Sequence, residues 1–198
     1  MDRDTLEFYQ TRSVEWASAL PHDWGPELDT FLDLLAPDAT ILELGCGDGR
    51  DTAQMIARGF DVRPSDGSPE MARMASENLG RPVPVMRFEE LDEVAAYDAA
   101  WCHACLLHVP RAGLPAIVAR IHKALKPGAW HFANFKGDIQ GDDSGHRDEF
   151  GRYYNYMSED ALKEVYSLVD WRSVDIQPLV SGTFGGGQIP WVKVLARK

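Results

Sequence analysis

Short apolar runs along the chain alternate with stretches in which apolar residues recur every three or four positions. The runs at 39–44, 60–63, 83–88, 97–102, 129–135, 174–178 and 191–196 read as seven strands. Between them, Leu114, Ile117, Val118, Ile121 and Leu125 mark one face of a helix. That helix stops at Lys126-Pro127-Gly128, where proline cannot continue it. Ser68-Pro69-Glu70 reads as an N-cap, a proline at the first helical position and an early acid, opening a helix through Leu79. Ser158-Glu159-Asp160 opens another, its acids lying near the positive end of the helix dipole. Strands and helices in this alternation predict βα units around a mostly parallel sheet. The irregular segment at 136–156, rich in Gly, Asp and Tyr, has the length of a functional loop.

Composition narrows the picture. With 198 residues and 44% hydrophobic content the chain suits one compact domain with a sizeable core. No apolar run approaches bilayer-spanning length, and the opening MDRDTLEFYQ is too charged for a signal peptide, so a cytoplasmic protein, monomer or homodimer, is expected. Cys46, Cys102 and Cys105 lack disulfide-framework spacing and read as reduced thiols. The formal charge of −11 opposes nucleic acid, whose non-specific affinity comes from cations displacing counterions. It favours small acceptors that are uncharged, cationic or soft nucleophiles.

The stretch ELGCGDGR, residues 43–50, sets Gly45, Gly47 and Gly49 directly after the first strand. A glycine turn between strand and helix often holds phosphate on backbone N–H groups and a helix N-terminus. The dinucleotide fingerprint, however, needs a small third residue where this chain has Arg50. Glu43 would also put a carboxylate beside a pyrophosphate. A cationic cofactor fits this turn better.

ELGCGDGR resembles the first motif of class I S-adenosylmethionine-dependent methyltransferases. The resemblance continues in SDGSPEM around Asp66, seventeen residues after Gly49, in YDAAWCHACLLHVP from Tyr97 to Pro110, and in LKPG from Leu125 to Gly128. It is strongest to the bacterial branch grouped with tellurite-resistance methyltransferases. What it implies is a Rossmann-like three-layer sandwich with a seven-stranded sheet, the last strand antiparallel, binding S-adenosylmethionine and methylating a small molecule. The implied cofactor set is Glu43, Gly45, Cys46, Gly47, Arg50, Asp66, Gly67, Ser68, Phe88, Glu89, Cys102 and His103. Within it, Gly45 and Gly47 let the backbone approach the aminocarboxypropyl tail, Asp66 offers a bidentate acceptor to the ribose hydroxyls, and Phe88 and Glu89 border adenine.

Methyl transfer needs nucleophile, methyl and sulfur in line and water excluded, and a base only when the acceptor must lose a proton. His103, Arg152 and Tyr153 are the candidates for positioning the acceptor, His103 also as a base, with Lys136 and Tyr154 beside them. His108 reads as a packed, hydrogen-bonded histidine, and the Cys102, His103, Cys105, His108 cluster lacks the second half of a zinc set. Residues 1–30 form an expected helical lid in which Tyr9 and Trp16 make an apolar stripe, and 136–156 an active-site loop that orders on ligand binding. The branch's terminal D-x-R and W-L-N pattern is reduced here to Trp191, with Lys193 in place of asparagine. No amino-nucleobase signature follows the fourth strand. Two alternatives remain at this point: a nucleotide-cofactor oxidoreductase, and a non-catalytic protein that keeps the cofactor pocket.

Overall fold

The structure is a computed structural model that describes residues 2–19, 26–137, 145–182 and 187–198. Three short helices come first, α1 (Arg3–Thr11), α2 (Ser13–Ala19) and α3 (Glu27–Leu32). The alternating part follows as β1 (Thr40–Leu44), α4 (Arg50–Ala57), β2 (Asp61–Ser65), α5 (Pro69–Leu79), β3 (Tyr97–Cys102), α6 (Leu114–Ala124) and β4 (Leu125–Lys136). Then come the two-residue strands β5 (His146–Arg147) and β6 (Tyr153–Tyr154), α7 (Glu159–Ser167), β7 (Ser173–Gly182) and β8 (Gln188–Arg197).

Six strands form the main sheet in the order β2-β1-β3-β4-β8-β7. The first four are mutually parallel and β8 runs antiparallel to both its neighbours. The count is six rather than seven because the run at 83–88 does not become a strand. Only Val85 bridges to Asp66, through Met86 N–H to the Asp66 carbonyl (2.9 Å) and Asp66 N–H to the Pro84 carbonyl (3.3 Å). Pro82 and Pro84 have no N–H to extend the ladder.

Alternation along the strands divides the core. Leu42, Leu44, Ala100, Cys102, Ala133 and Phe135 face α6 and α7, packing with Ile117, Ile121 and Leu162. Ile41, Ala99, Trp101 and Phe132 face the other way, against Phe31 of α3 and Met55 of α4. Helices thus cover both faces, a three-layer arrangement. Between β1 and β3 the chain order reverses direction, since β2 lies on one side of β1 and β3 on the other. In open α/β sheets this switch point opens a crevice at the strands' carboxyl ends. The glycine turn after β1 and the His103 turn after β3 both lie there.

One expectation for the flanking segments needs correction. The apolar stripe of Tyr9 and Trp16 is carried by two helices, α1 and α2, that break at Arg12, where φ is −126°. Residues 145–156 dock on α1. β5 and β6 pair as a hairpin, Tyr153 N–H donates to Thr5 Oγ1 (2.8 Å), and Arg147 pairs with Asp2 (2.8 Å). Phe150 packs on Phe8 with ring centroids 5.8 Å apart. Charge and aromatic contacts made across the chain hold a segment whose own apolar content is low. The rest of the expected loop, 138–144, and residues 20–25 of the expected N-terminal lid lie outside the described residues.

Candidate active site

The turn after β1 is shaped by backbone bonds. Gly45 and Cys46 N–H both donate to the Ser65 carbonyl at the end of β2 (2.8 and 3.0 Å). Gly45 has φ +68°, and a Cβ there would stand 2.6 Å from Cys105 Cβ, so a side chain has neither the conformation nor the room. A Cβ on Gly47 would lie 3.1 Å from the Trp16 ring of α2. Glycine therefore admits two neighbours, one from the sheet crevice and one from the covering helix.

Three buried acids surround the turn. Asp66 accepts Gly47 N–H on Oδ2 (3.0 Å) and Ser68 N–H on Oδ1 (2.8 Å), joining the turn to the start of α5. Burial nevertheless pushes its carboxyl up to about 6. Glu43 accepts from Thr52 Oγ1, and burial together with the nearby Asp51 raises its pKa well above the usual range. Asp51 behaves oppositely: burial disfavours its charge, but His103 and Trp101 outweigh this and hold its pKa below the ordinary value. Both donate to the same oxygen, His103 Nδ1 and Trp101 Nε1 each at 2.9 Å. An ionised carboxylate can only accept, so His103 Nδ1 carries the hydrogen of that bond.

A cavity joins these groups. It is lined by Glu43, Gly45, Cys46, Gly47, Asp48, Arg50 and Asp51 from β1 and α4, and by Asp66, Ser68 and Met71 from β2 and α5. His103, Ala104, Cys105 and His108 close the β3 side, and Leu6, Tyr9 and Trp16 form the cover. Arg50 grips Asp48 (2.8 Å) and also donates to the Ala17 carbonyl (3.1 Å), tying the turn to α2.

Beyond His108 lies a second polar cluster. Tyr9 O–H donates to His108 Nε2 (2.9 Å), and His108 Nδ1–H donates to the Tyr153 carbonyl (2.7 Å). Burial drives His108 down to about 3, so it is neutral, and pushes Tyr9 up to about 12. The His108 and Tyr154 rings meet at 4.8 Å, and Lys136 Nζ sits 3.4 Å above the Tyr154 ring. Arg152 stacks 4.6 Å from the Phe8 ring and pairs with Asp148 (2.7 Å).

With this geometry in view, the known proteins it resembles can be weighed. Residues 41–128, from the first strand through the Lys126-Pro127-Gly128 turn, match the family described as Methyltransferase domain. The ubiquinone biosynthesis O-methyltransferase of Xanthomonas campestris pv. campestris is 33% identical over 146 residues, which are 63% of this chain and 60% of that protein. Among solved structures, 1,6-didemethyltoxoflavin-N1-methyltransferase of Burkholderia thailandensis superposes with a TM-score of 0.78 at 25% identity, over 98% of this chain and 85% of that one. Residues 41–128 thus carry the methyltransferase-domain match, and the chain as a whole shares the fold of S-adenosylmethionine-dependent methyltransferases. Trans-aconitate 2-methyltransferase of Deinococcus radiodurans is 33% identical over 95 residues, 46% of this chain and 36% of that protein. TehB of Haemophilus influenzae shares the fold, with a TM-score of 0.68 at 18% identity over 98% of this chain and 67% of that one. The chain spans between 36% and 60% of the length of the curated relatives it matches.

Around this cavity the expected residues divide. Glu43, Gly45, Cys46, Gly47, Arg50, Asp66, Ser68 and His103 line one cavity, and Gly67 lies between two of them. Cys102 and Phe88 turn their side chains into the core, and Glu89 is exposed, so these three do not line it. Arg152 and Tyr153 also stand outside the lining: the Arg152 side chain is buried on Asp148, and the Tyr153 ring lies against Gly145. Arg152 anchors the hairpin on Asp148 and Phe8 and also interacts with Tyr9 of the cavity's cover. Sequence reasoning missed Asp51, whose position at the start of α4 reads simply as an acid complementing a helix dipole. Its partner His103 is 52 residues away, and only the fold joins them.

Proposed function

We propose that this chain transfers the methyl group of S-adenosylmethionine to a small-molecule acceptor. The observation that carries the reading is Asp66, a buried carboxylate at the end of β2 held by two backbone N–H groups and lining the same cavity as Glu43 and the glycine turn. Each oxygen keeps a lone pair for a vicinal diol. Glu43, Asp48, Asp51 and Asp66 make the cavity acidic, which suits a cationic donor and opposes a pyrophosphate. Arg50, at the third-glycine position of a dinucleotide turn, also opposes a nicotinamide cofactor. When bound, S-adenosylmethionine supplies a methyl already activated by its sulfonium.

The chain's own residues then have three tasks. The turn at Gly45–Gly47 and Asp66 fix the donor's two ends, while α1 and α2 cover it through Tyr9 and Trp16 and exclude water. His103, oriented by Asp51, presents Nε2 as the base for an acceptor that must lose a proton. The named relatives span O- and N-methylation, so the acceptor has to be read from this chain's own residues. The acidic balance and the cavity's carboxylates support a free small molecule over nucleic acid. The reading is tested by incubating the purified protein with methyl-labelled S-adenosylmethionine and panels of small acids, amines and phenols. Labelled low-molecular-weight product is expected; efficient, salt-sensitive labelling of tRNA or DNA instead would refute it.

A further inference from the structure

Lys136 ends β4 at the carboxyl edge of the sheet, tethered there by Met157 N–H donating to its carbonyl (3.0 Å). Its ammonium rests on Tyr154, 3.4 Å from the ring centroid, with Tyr156 at 5.9 Å. Among the described residues no carboxylate pairs with it. The nearby carboxylate, Asp148, is fully engaged: Oδ2 holds Arg152 through Nε and Nη2 (2.8 and 2.7 Å), and Oδ1 takes the N–H groups of Phe150 and Arg152 (3.0 and 2.9 Å). His108 is neutral, and burial keeps the Tyr9 and Tyr154 hydroxyls protonated. Of these groups, Arg152 and Asp148 cancel and Lys136 is left over. Among the described residues of this cluster Lys136 is thus a partly buried cation without a carboxylate partner, reached from the cavity's His108 through the Tyr154 ring.

A desolvated ammonium is costly unless something pairs with it. Burial and the Arg152 charge hold Lys136 down to about 8, against the opposing pull of Asp148. Packing on Tyr154 offsets part of that cost, but it leaves the ammonium's three donors without an acceptor among the described residues.

We infer that Lys136 is the seat for an anionic group of the methyl acceptor, a carboxylate, with the Tyr154 and Tyr156 rings as its apolar flank. This rests on the methyltransferase reading above and specifies its acceptor. One unneutralised charge matches a monoanion better than a phosphate dianion. The local surplus runs against the uncharged or cationic acceptor that the net charge suggests, because screening confines such interactions to a few ångströms around the site.

Matched acid and amide probes test the inference. The protein saturated with S-adenosylhomocysteine is titrated calorimetrically with benzoate and benzamide, and with hexanoate and hexanamide. At least one acid should bind tenfold or more tightly than its amide. Lys136→Met, which keeps the packing on Tyr154, should abolish that preference, and Lys136→Arg should retain most of it, both with S-adenosylhomocysteine affinity within twofold of the parent. Equal binding of acid and amide, no binding of any acid, or a preference that survives in Lys136→Met would overturn the assignment while leaving the methyltransferase reading in place. Failure of the parent protein to bind S-adenosylhomocysteine would remove that reading and this inference together.

Discussion

The two sides of the crevice are built by different means. On the donor side, β1, α4, β2 and α5 follow one another within forty residues, and their contacts are backbone bonds within that stretch: Gly45, Cys46, Gly47 and Ser68 N–H groups on the Ser65 carbonyl and the Asp66 carboxylate. On the acceptor side, α1, the His108 turn, Lys136 and the β5–β6 hairpin come from distant parts of the chain. They meet through side chains such as Tyr9 with His108 and Arg147 with Asp2. A backbone cradle is rigid and tolerates little change of shape. A side-chain assembly can change its occupant by changing a residue, and this is where acceptor identity is expected to reside.

The sharpest break in that contrast is Gly45→Ala. The left-handed backbone costs a non-glycine residue about 1–2 kcal/mol, and the contact with Cys105 adds an overpacking cost of about 1–3 kcal/mol. Urea unfolding should show the loss, and S-adenosylhomocysteine binding should fall with it. An unchanged unfolding midpoint with unchanged binding would mean the cradle is not shaped by its lack of side chain.

Arg152→Ala probes the other side. It removes the partner of Asp148 and the stack on Phe8, so amide exchange in residues 145–154 should quicken and turnover on an identified acceptor should fall about tenfold, or about 1.4 kcal/mol. S-adenosylhomocysteine affinity should stay within about twofold. A large loss of that affinity would show that the two sides are one unit.

An effect of about the same size concerns pH. Asp66 has a folded pKa raised to about 6 from 3.8, so its ionisation opposes folding: the stability it contributes is present below about pH 4 and lost as pH rises through 6. Ribose hydroxyls donate to the ionised form, so S-adenosylhomocysteine affinity should rise by about tenfold between pH 5 and 7. Asp66→Asn should flatten that rise, and an identical pH dependence in the variant would remove Asp66 from the ribose site. Because Asp66 also joins the turn to α5, Asp66→Ala should lower stability as well as affinity, by about 1–3 kcal/mol for the unsatisfied N–H groups.

The contrast between the two sides also governs what the sequence discloses. The helix from Pro69 to Leu79 and the strand from Tyr97 to Cys102 were readable because cap, proline and apolar run are local signals. Glu43, the glycines and Asp66 also stand close together in sequence, and the structure sets them around one cavity. The run at 83–88 misled because its apolar residues mimic a strand while its prolines withhold the ladder's donors. Cys102 and Phe88 were assigned to the cofactor from motif position alone, but alternation on β3 sends the first into the core and the turn after Arg87 buries the second. Asp51's hold on His103 and the packing of Lys136 on Tyr154 are properties of three-dimensional neighbourhood, with no local pattern to mark them.

The most direct test of the central claim is calorimetric titration of the purified protein with S-adenosylhomocysteine, NAD+ and NADP+. A one-to-one complex with S-adenosylhomocysteine and no binding of either nicotinamide dinucleotide is predicted from the acidic cavity, Asp66 and Arg50. Tight nicotinamide binding without a response to S-adenosylhomocysteine would contradict it.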